Sequence, residues 1–263
     1  MAENEPLLLT ETVGENNNIL LITLNRQNKL NALNKDLLDL LEVTFKSLKK
    51  KPNIRSVIIY SEGKSWCAGV DLKWASSLGW RIMSAIKKGQ KVFARIERQP
   101  IPVIAAINGY AMGGGMELAL SCDIRIAAET AAFAQSETSV GLTPGWGGTY
   151  RLPKIVGLSA AKELIYTGKR FSAEEALEIG FISKIVAADE LKEEAITLAE
   201  SIARTAPIAV KVAKKAVNKG VSTSVKGGYR AERRGTRRCF RTKDIREGIT
   251  AVFEKRKPEF KGE

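Results

Sequence analysis

The sequence predicts an α/β fold in which short strands and helices alternate as stacked β-β-α units before giving way to helices alone. Three observations lead there. Apolar runs such as Val57–Tyr60, Val103–Ile107 and Ile124–Ala127 are too short for helices and recur between segments of helical periodicity. Past Arg151 the apolar spacing turns helical. And 263 residues with 44% apolar content can bury a full core, enough for one large domain or one domain with an appendage.

The chain opens with two strands, Leu7–Val13 and Ile19–Leu24, joined by a hairpin turn at Gly14–Asn18. From Leu33 the residues Leu37, Leu38, Leu41, Phe45 and Leu48 recur at helical intervals, with Asn34 placed to cap the helix. Val57–Tyr60 is a buried strand that ends at Ser61-Glu62-Gly63. After Asp71 a helix is expected from about Trp80 to Gln99, stopped by Pro100 and Pro102 ahead of the strand Val103–Ile107. A glycine-rich turn at Asn108–Gly115 leads into a helix over Glu117–Ser121, followed by strands at Ile124–Ala127 and Phe133–Ala134. Six helices are expected after Arg151: Ala160–Tyr166, Ala173–Ile179, Asp189–Arg204, Ala206–Lys219, Val221–Phe240 and Thr242–Lys255.

The chain contains no histidine, so acid/base chemistry falls to carboxylates, lysines or tyrosines. Cys67, Cys122 and Cys239, odd in number and widely spaced, suit neither a disulfide framework nor a zinc site, and a reducing, cytoplasmic setting is expected. No apolar stretch is long enough to span a bilayer, and the acidic, Asn-rich start lacks the pattern of a signal peptide, so no membrane association is expected. The formal charge of +13 raises the question of nucleic acid. Its basic groups, at Lys46, Lys49–Lys51 and from Arg230 to Lys243, read as solvated helix faces, and nucleic acid is not the expected partner.

Two glutamates, Glu117 and Glu137, lie behind separate glycine-rich turns. Cys67-Ala68-Gly69-Val70-Asp71 follows a strand and starts a helix, where backbone N–H groups point outward. The triple glycine Gly113–Gly115 precedes a second helix and lets a ligand approach the backbone closely, as an oxyanion site demands. No Gly-Lys-Ser/Thr follows it, so it is not a nucleotide P-loop. Each feature alone also serves as a tight turn, a cap or a surface charge; two carboxylates beside two sets of N–H donors form a constellation.

With these residues in place the chain resembles the crotonase superfamily and, within it, the enoyl-CoA hydratases. The resemblance covers essentially the whole length. It rests on Asn25-Arg26 with Lys29–Leu33, Cys67–Leu72, Pro102–Gly109, Gly113–Leu120 and Cys122–Arg125. Pro144-Gly145 with Gly147–Thr149, Thr242–Asp244, Glu247-Gly248 and Phe253–Arg256 complete it. It implies a crotonase spiral over residues 1–200, a C-terminal helical trimerisation region over 201–263, and a homotrimer or a dimer of trimers.

The same resemblance implies an oxyanion hole made by the N–H groups of Val70 and Gly114, and a water held between Glu117 and Glu137 with help from the Gly145 N–H. Coenzyme A, part of the substrate and not a separate cofactor, would lie near Lys29 and Ala68, with Lys255 of a neighbouring subunit at its phosphates. Many relatives place an aromatic residue near the adenine where this chain has Thr236. The implied reaction is hydration of a 2-enoyl-CoA to a 3-hydroxyacyl-CoA, a carbon–oxygen lyase activity of fatty acid metabolism, with no metal or redox cofactor. An isomerase of the same fold is the alternative, favoured where only one carboxylate survives; both are present here.

Trp146 is unusual within Pro-Gly-x-Gly-Gly and reads either as simple packing or as a wall that narrows the acyl pocket. The segment from Trp80 to Ala85 is more apolar than the mobile cover of relatives. Either it is an ordinary helix burying Ile82, Met83 and Ile86, or it is an additional protein interface. That interface, with the basic pair Arg237 and Arg238, would suit a non-catalytic assembly or RNA-binding scaffold.

Overall fold

The computed structural model describes residues 5–263; the first four residues of the core expected over 1–200 lie outside the described residues. The elements follow from the sequence pattern. Strands β1 (Leu8–Val13) and β2 (Ile19–Leu24) form the expected hairpin, and α1 (Lys35–Ser47) is capped by Asn34, whose side chain accepts from the Leu37 N–H. Strands β3 (Ser56–Ser61) and β4 (Ser65–Cys67) precede α2 (Leu72–Ser77), which Asp71 caps through the Lys73 and Trp74 N–H groups. A 3-10 turn at Gly79–Arg81 then leads into α3 (Ile82–Glu97).

The next repeat is β5 (Val103–Ile107), β6 (Tyr110–Met112) and α4 (Gly114–Leu120). After it come β7 (Ile124–Ala128), β8 (Ala132–Ala134), α5 (Gly148–Val156), α6 (Leu158–Thr167) and β9 (Phe171–Ser172). The chain finishes with α7 (Ala173–Glu178), β10 (Lys184–Val186), α8 (Leu191–Ala203), α9 (Pro207–Gly220), α10 (Val225–Cys239) and α11 (Lys243–Phe253).

The strands divide between two sheets, and this makes the repeats a spiral. In the pairs β3/β4, β5/β6 and β7/β8 the first strand joins a six-stranded sheet, β1-β2-β3-β5-β7-β10, parallel except for β1, and the second joins a four-stranded sheet, β4-β6-β8-β9. Each of these three turns of chain thus visits both sheets before its helix. In the large sheet, alternate residues face opposite ways. Leu20, Ile22, Val57, Ile59, Val103 and Ala105 point into the main core between the sheets and helices. Ile19, Leu21, Ile58, Ile104 and Ile126 lie beneath Leu191, Ala195 and Ala199 of α8. Burial on both faces is why these strands read as unbroken apolar runs, each fully buried Leu or Ile contributing ~1.5–3 kcal/mol.

Helix α3 is clasped to α1 by Lys88, whose Nζ lies 2.5 Å from Glu42 Oε2 and also pairs with Asp39. The surrounding lysines hold the Glu42 carboxyl down at about 2. Helix α9 is pinned to the sheet by Lys214, which reaches Asp123 at 2.6 Å and the Ile101 carbonyl at 3.0 Å. Helix α10 leans on α9 and buries none of its own residues. No helix among the described residues is long and apolar enough to cross a membrane.

Four local expectations are corrected. Residues 110–112 are a strand and not part of a turn, because they pair with both β4 and β8. Helix α5 went unrecognised because Gly147, Gly148 and Pro153 disguise its start and interior. Helix α10 begins at Val225, where Ser224 caps it through the Gly227 N–H, instead of at Val221. In the cover segment only Ala85 is buried; Trp80 is 89% and Met83 57% exposed, so the helix does not bury Met83 as its spacing predicts.

Candidate active site

The two sheets bring the glycine-rich segments side by side. Gly69 sits at φ +100°, and a Cβ there would lie 2.7 Å from the Met112 carbonyl oxygen and 3.4 Å from the Gly114 nitrogen. A Cβ on Gly115 would lie 2.0 Å from the Cys67 carbonyl oxygen. Only glycine permits this approach, and it sets the turn after β4 against the first turn of α4. Among the described residues, neither the Val70 N–H nor the Gly114 N–H donates to a backbone or side-chain acceptor. Val70 is fixed from the other side, since Leu33 donates to the Gly69 carbonyl and accepts from the Asp71 N–H.

Glu117 stands in α4 and is 2% exposed. Its Oε1 accepts from the backbone N–H of Trp146 at 2.7 Å and of Gly148 at 2.8 Å. Burial, joined by the negative charge of Glu137, pushes this carboxyl up to about 7, while the two N–H donors and Arg151 pull the other way. Glu137 lies half-buried in a 3-10 turn, Ser136–Val140, two residues beyond buried Gln135. The Gln135 Nε2 donates to both Glu137 oxygens at 2.9 Å. Burial raises Glu137 too, and the Gln135 amide restrains the rise. The carboxylates are linked through Gly113: it caps α4, its N–H donates to the Ala134 carbonyl, and a Cβ on it would lie 3.5 Å from Glu137 Oε1.

Of the residues singled out from sequence, Val70, Gly114, Glu117, Glu137 and the loop of Gly145 come together around this glycine-lined spot. The Gly145 carbonyl accepts from Gln90 at 2.8 Å, and its N–H has no acceptor among the described residues. Lys29 and Ala68 are neighbours through Leu30, whose carbonyl accepts from the Ala68 N–H at 3.0 Å. Leu30 and Asn31 take φ of +52° and +55°, a conformation held by Asn31, which accepts from the Arg26 N–H and donates to the Ser65 carbonyl. Lys255 stands apart from these groups in sequence and fold, exposed just beyond α11 with no ion pair among the described residues.

Four residues have supporting roles that sequence reasoning missed. Trp146 and Gly148 act through backbone N–H groups, for which the glycines around position 147 are the only signal. Gln135 holds Glu137, and its place two residues before that glutamate was the available clue. Arg151, 4% exposed, donates from Nη1 to the Trp146 carbonyl at 2.8 Å and from Nη2 to Glu97 Oε2 at 2.9 Å, tying the glycine turn to α3. Cys67 and Cys122 play no part as nucleophiles, because burial pushes both thiols up to about 12. Among the described residues no cluster of acidic or cysteine side chains could hold a metal ion.

A sequence profile of the enoyl-CoA hydratase/isomerase family matches residues 14–263. The chain is 41% identical over 245 residues to the short-chain-enoyl-CoA hydratase of Clostridium acetobutylicum, spanning 92% of this chain and 93% of that protein. It is 42% identical over 241 residues to the crotonyl-CoA hydratase of Syntrophomonas wolfei, spanning 90% and 92% of the two chains. The crystal structure of an enoyl-CoA hydratase from Bacillus anthracis matches with a TM-score of 0.95 at 40% identity, covering 98% of this chain and 100% of that one. A profile match over nearly the whole length, with relatives near 40% identity across both chains, makes this protein an enzyme of the crotonase superfamily, and it belongs to the enoyl-CoA hydratase/isomerase family.

Proposed function

We propose that this protein is an enoyl-CoA hydratase that adds water across the 2,3 double bond of a 2-enoyl-CoA to give a 3-hydroxyacyl-CoA. The observation that carries the reading is the pair Glu117 and Glu137, both raised by burial and close enough that the charge of Glu137 raises Glu117 further. Hydration needs one carboxyl ionised to take a proton from water and another protonated to give one to the α-carbon. Burial raises both carboxyls, and the charge of Glu137 adds to the rise at Glu117, so the pair favours keeping one carboxyl protonated beside one that is ionised. Glu117, held by two N–H donors on one oxygen, keeps its other oxygen for water and serves as the base. The water oxygen bonds to the β-carbon, and Glu137 delivers its proton to the α-carbon. The Gly145 N–H, which has no acceptor among the described residues, helps orient the water.

Charge that develops on the thioester oxygen during addition goes to the N–H groups of Val70 and Gly114, and losing one such donor costs about 3–4 kcal/mol of barrier. The coenzyme A portion of the substrate lies by Lys29 and Ala68, with Lys255 of a neighbouring subunit at its phosphates. No metal or separate cofactor enters these steps. Assembly as a trimer, or a dimer of trimers, is part of the reading: α10 buries none of its residues alone, and Tyr229, Phe240 and Phe253 are 57%, 70% and 82% exposed.

The test is the loss of enoyl-thioester absorbance with crotonyl-CoA. Turnover by the native protein, lowered about 10²–10⁴-fold in both Glu117→Gln and Glu137→Gln, is the expected result. A native protein that leaves 2-enoyl-CoAs unhydrated but moves a 3,4 double bond to the 2,3 position would be an isomerase and would end the hydratase reading.

A further inference from the structure

The side chain of Trp146 takes no part in the chemistry set out above, yet it lies among the groups that do. Its own backbone N–H holds Glu117. Its indole rests on Gly114, where a Cβ would lie 2.9 Å from Cζ3 and 3.3 Å from the Val70 side chain. On its far side the ring sinks into α3 at Gly89, where a Cβ would lie 2.2 Å from both Cε2 and Nε1. Phe93, one turn further on, meets the indole edge-on at 5.4 Å between centroids. Trp146 is 4% exposed, so the ring fills the gap between α3 and the first turn of α4 and leaves little room beside it.

We infer that Trp146 restricts this enzyme to short acyl chains. The inference rests on the hydratase reading, in which the thioester oxygen meets the Val70 and Gly114 N–H groups and the β-carbon faces Glu117. Carbons beyond the β-position that run toward the Gly145–Trp146 turn then meet the indole within a few bonds. The ring has no retreat, because Gly89 already admits it as deeply as a helix backbone allows and Phe93 closes the space behind. A crotonyl group ends before this wall, whereas a longer chain has to displace a large, closely packed aromatic side chain.

The experiment compares kcat/KM for 2-enoyl-CoAs of four, six, eight and ten carbons in the native protein, Trp146→Ala and Trp146→Leu, with circular dichroism to verify folding. Trp146→Leu fills part of the space the indole leaves, so it carries the test if the alanine variant does not fold. The native protein is expected to lose about tenfold or more between four and ten carbons, and a folded variant to raise the ten-to-four ratio by about tenfold or more. A native profile flat from four to ten carbons, or a folded Trp146→Leu with the native ratio, overturns the inference and leaves the hydratase reading intact. If the native protein hydrates none of these substrates, the hydratase reading fails by itself. Calorimetric binding of butyryl-CoA against decanoyl-CoA then decides: a native preference for butyryl-CoA that Trp146→Leu abolishes supports the restriction, and an unchanged preference overturns it.

Discussion

The backbone N–H of Trp146 lies 2.7 Å from Glu117 Oε1, and with the Gly148 N–H it forms a two-donor cradle for a carboxylate that is otherwise buried. The cradle favours the ionised form, but burial and the charge of Glu137 outweigh it, since the carboxyl still stands at about 7 and not at its ordinary 4.5. The site therefore keeps a base near the working pH at a cost to stability.

That cost has a defined sign. Because the folded carboxyl binds its proton more tightly than the unfolded one, no penalty exists below pH 4.5; it grows as pH rises through the interval and is complete above about 7. The gap corresponds to ~3 kcal/mol. Glu117→Gln keeps an oxygen for the two N–H donors and removes the titration. Urea unfolding should show the variant gaining on the native protein by ~3 kcal/mol between pH 4 and pH 8. A stability difference that does not change with pH would show that Glu117 ionises freely in the fold.

Gln135 gives a second prediction, because its amide is the only side-chain donor to Glu137 among the described residues. Gln135→Leu frees the Glu137 carboxylate to swing and also removes the bond that restrains its upward shift. Turnover should fall about tenfold with KM little changed, and the alkaline limb of the pH–rate profile should move to higher pH as Glu137 keeps its proton longer. A fall in turnover with the alkaline limb unmoved would assign Gln135 to packing alone.

What could be read from sequence, and what could not, divides along physical lines. The meeting of the turn after β4 with the first turn of α4 was legible because close backbone approach demands glycine, and glycines at 69 and 113–115 mark the place; the choice of Val70 and Gly114 came from the family resemblance. The partners of Glu117 were not legible. Trp146 and Gly148 reach Glu117 across 29 and 31 residues by N–H groups that any amino acid other than proline carries, so no side-chain type announces them. The inner strands of the large sheet were legible because both their faces are buried, whereas β6, three residues long with exposed Tyr110, gives no periodic signal of its own. At the start of α3, helical spacing predicted burial of Ile82, Met83 and Ile86; Ala85 is buried and Ile86 partly so, whereas Ile82 and Met83 stay exposed.

The link from Arg151 to Trp146 makes the last prediction. Arg151 is a fork with one arm on the Trp146 carbonyl and the other on Glu97, so it carries the position of α3 into the turn that holds Glu117. Lysine cannot make both bonds at once, because its single ammonium lacks the planar spread of donors. Arg151→Lys should therefore retain a positive charge near Glu117 and still lose about tenfold or more in kcat. Arg151→Met also removes the charge that helps lower the Glu117 carboxyl, so its pH–rate profile should show that group titrating above the native value. Breaking a fully buried pair costs about 3–5 kcal/mol, but the Glu97 side chain is 35% exposed and water can replace part of the loss, so about 1–3 kcal/mol of destabilisation is expected. Glu97→Gln is the discriminating control. It leaves the bond from Arg151 to the Trp146 carbonyl in place, and should cost less activity than Arg151→Lys; equal losses would mean that the contact with α3, and not the hold on the carbonyl, sets the turn.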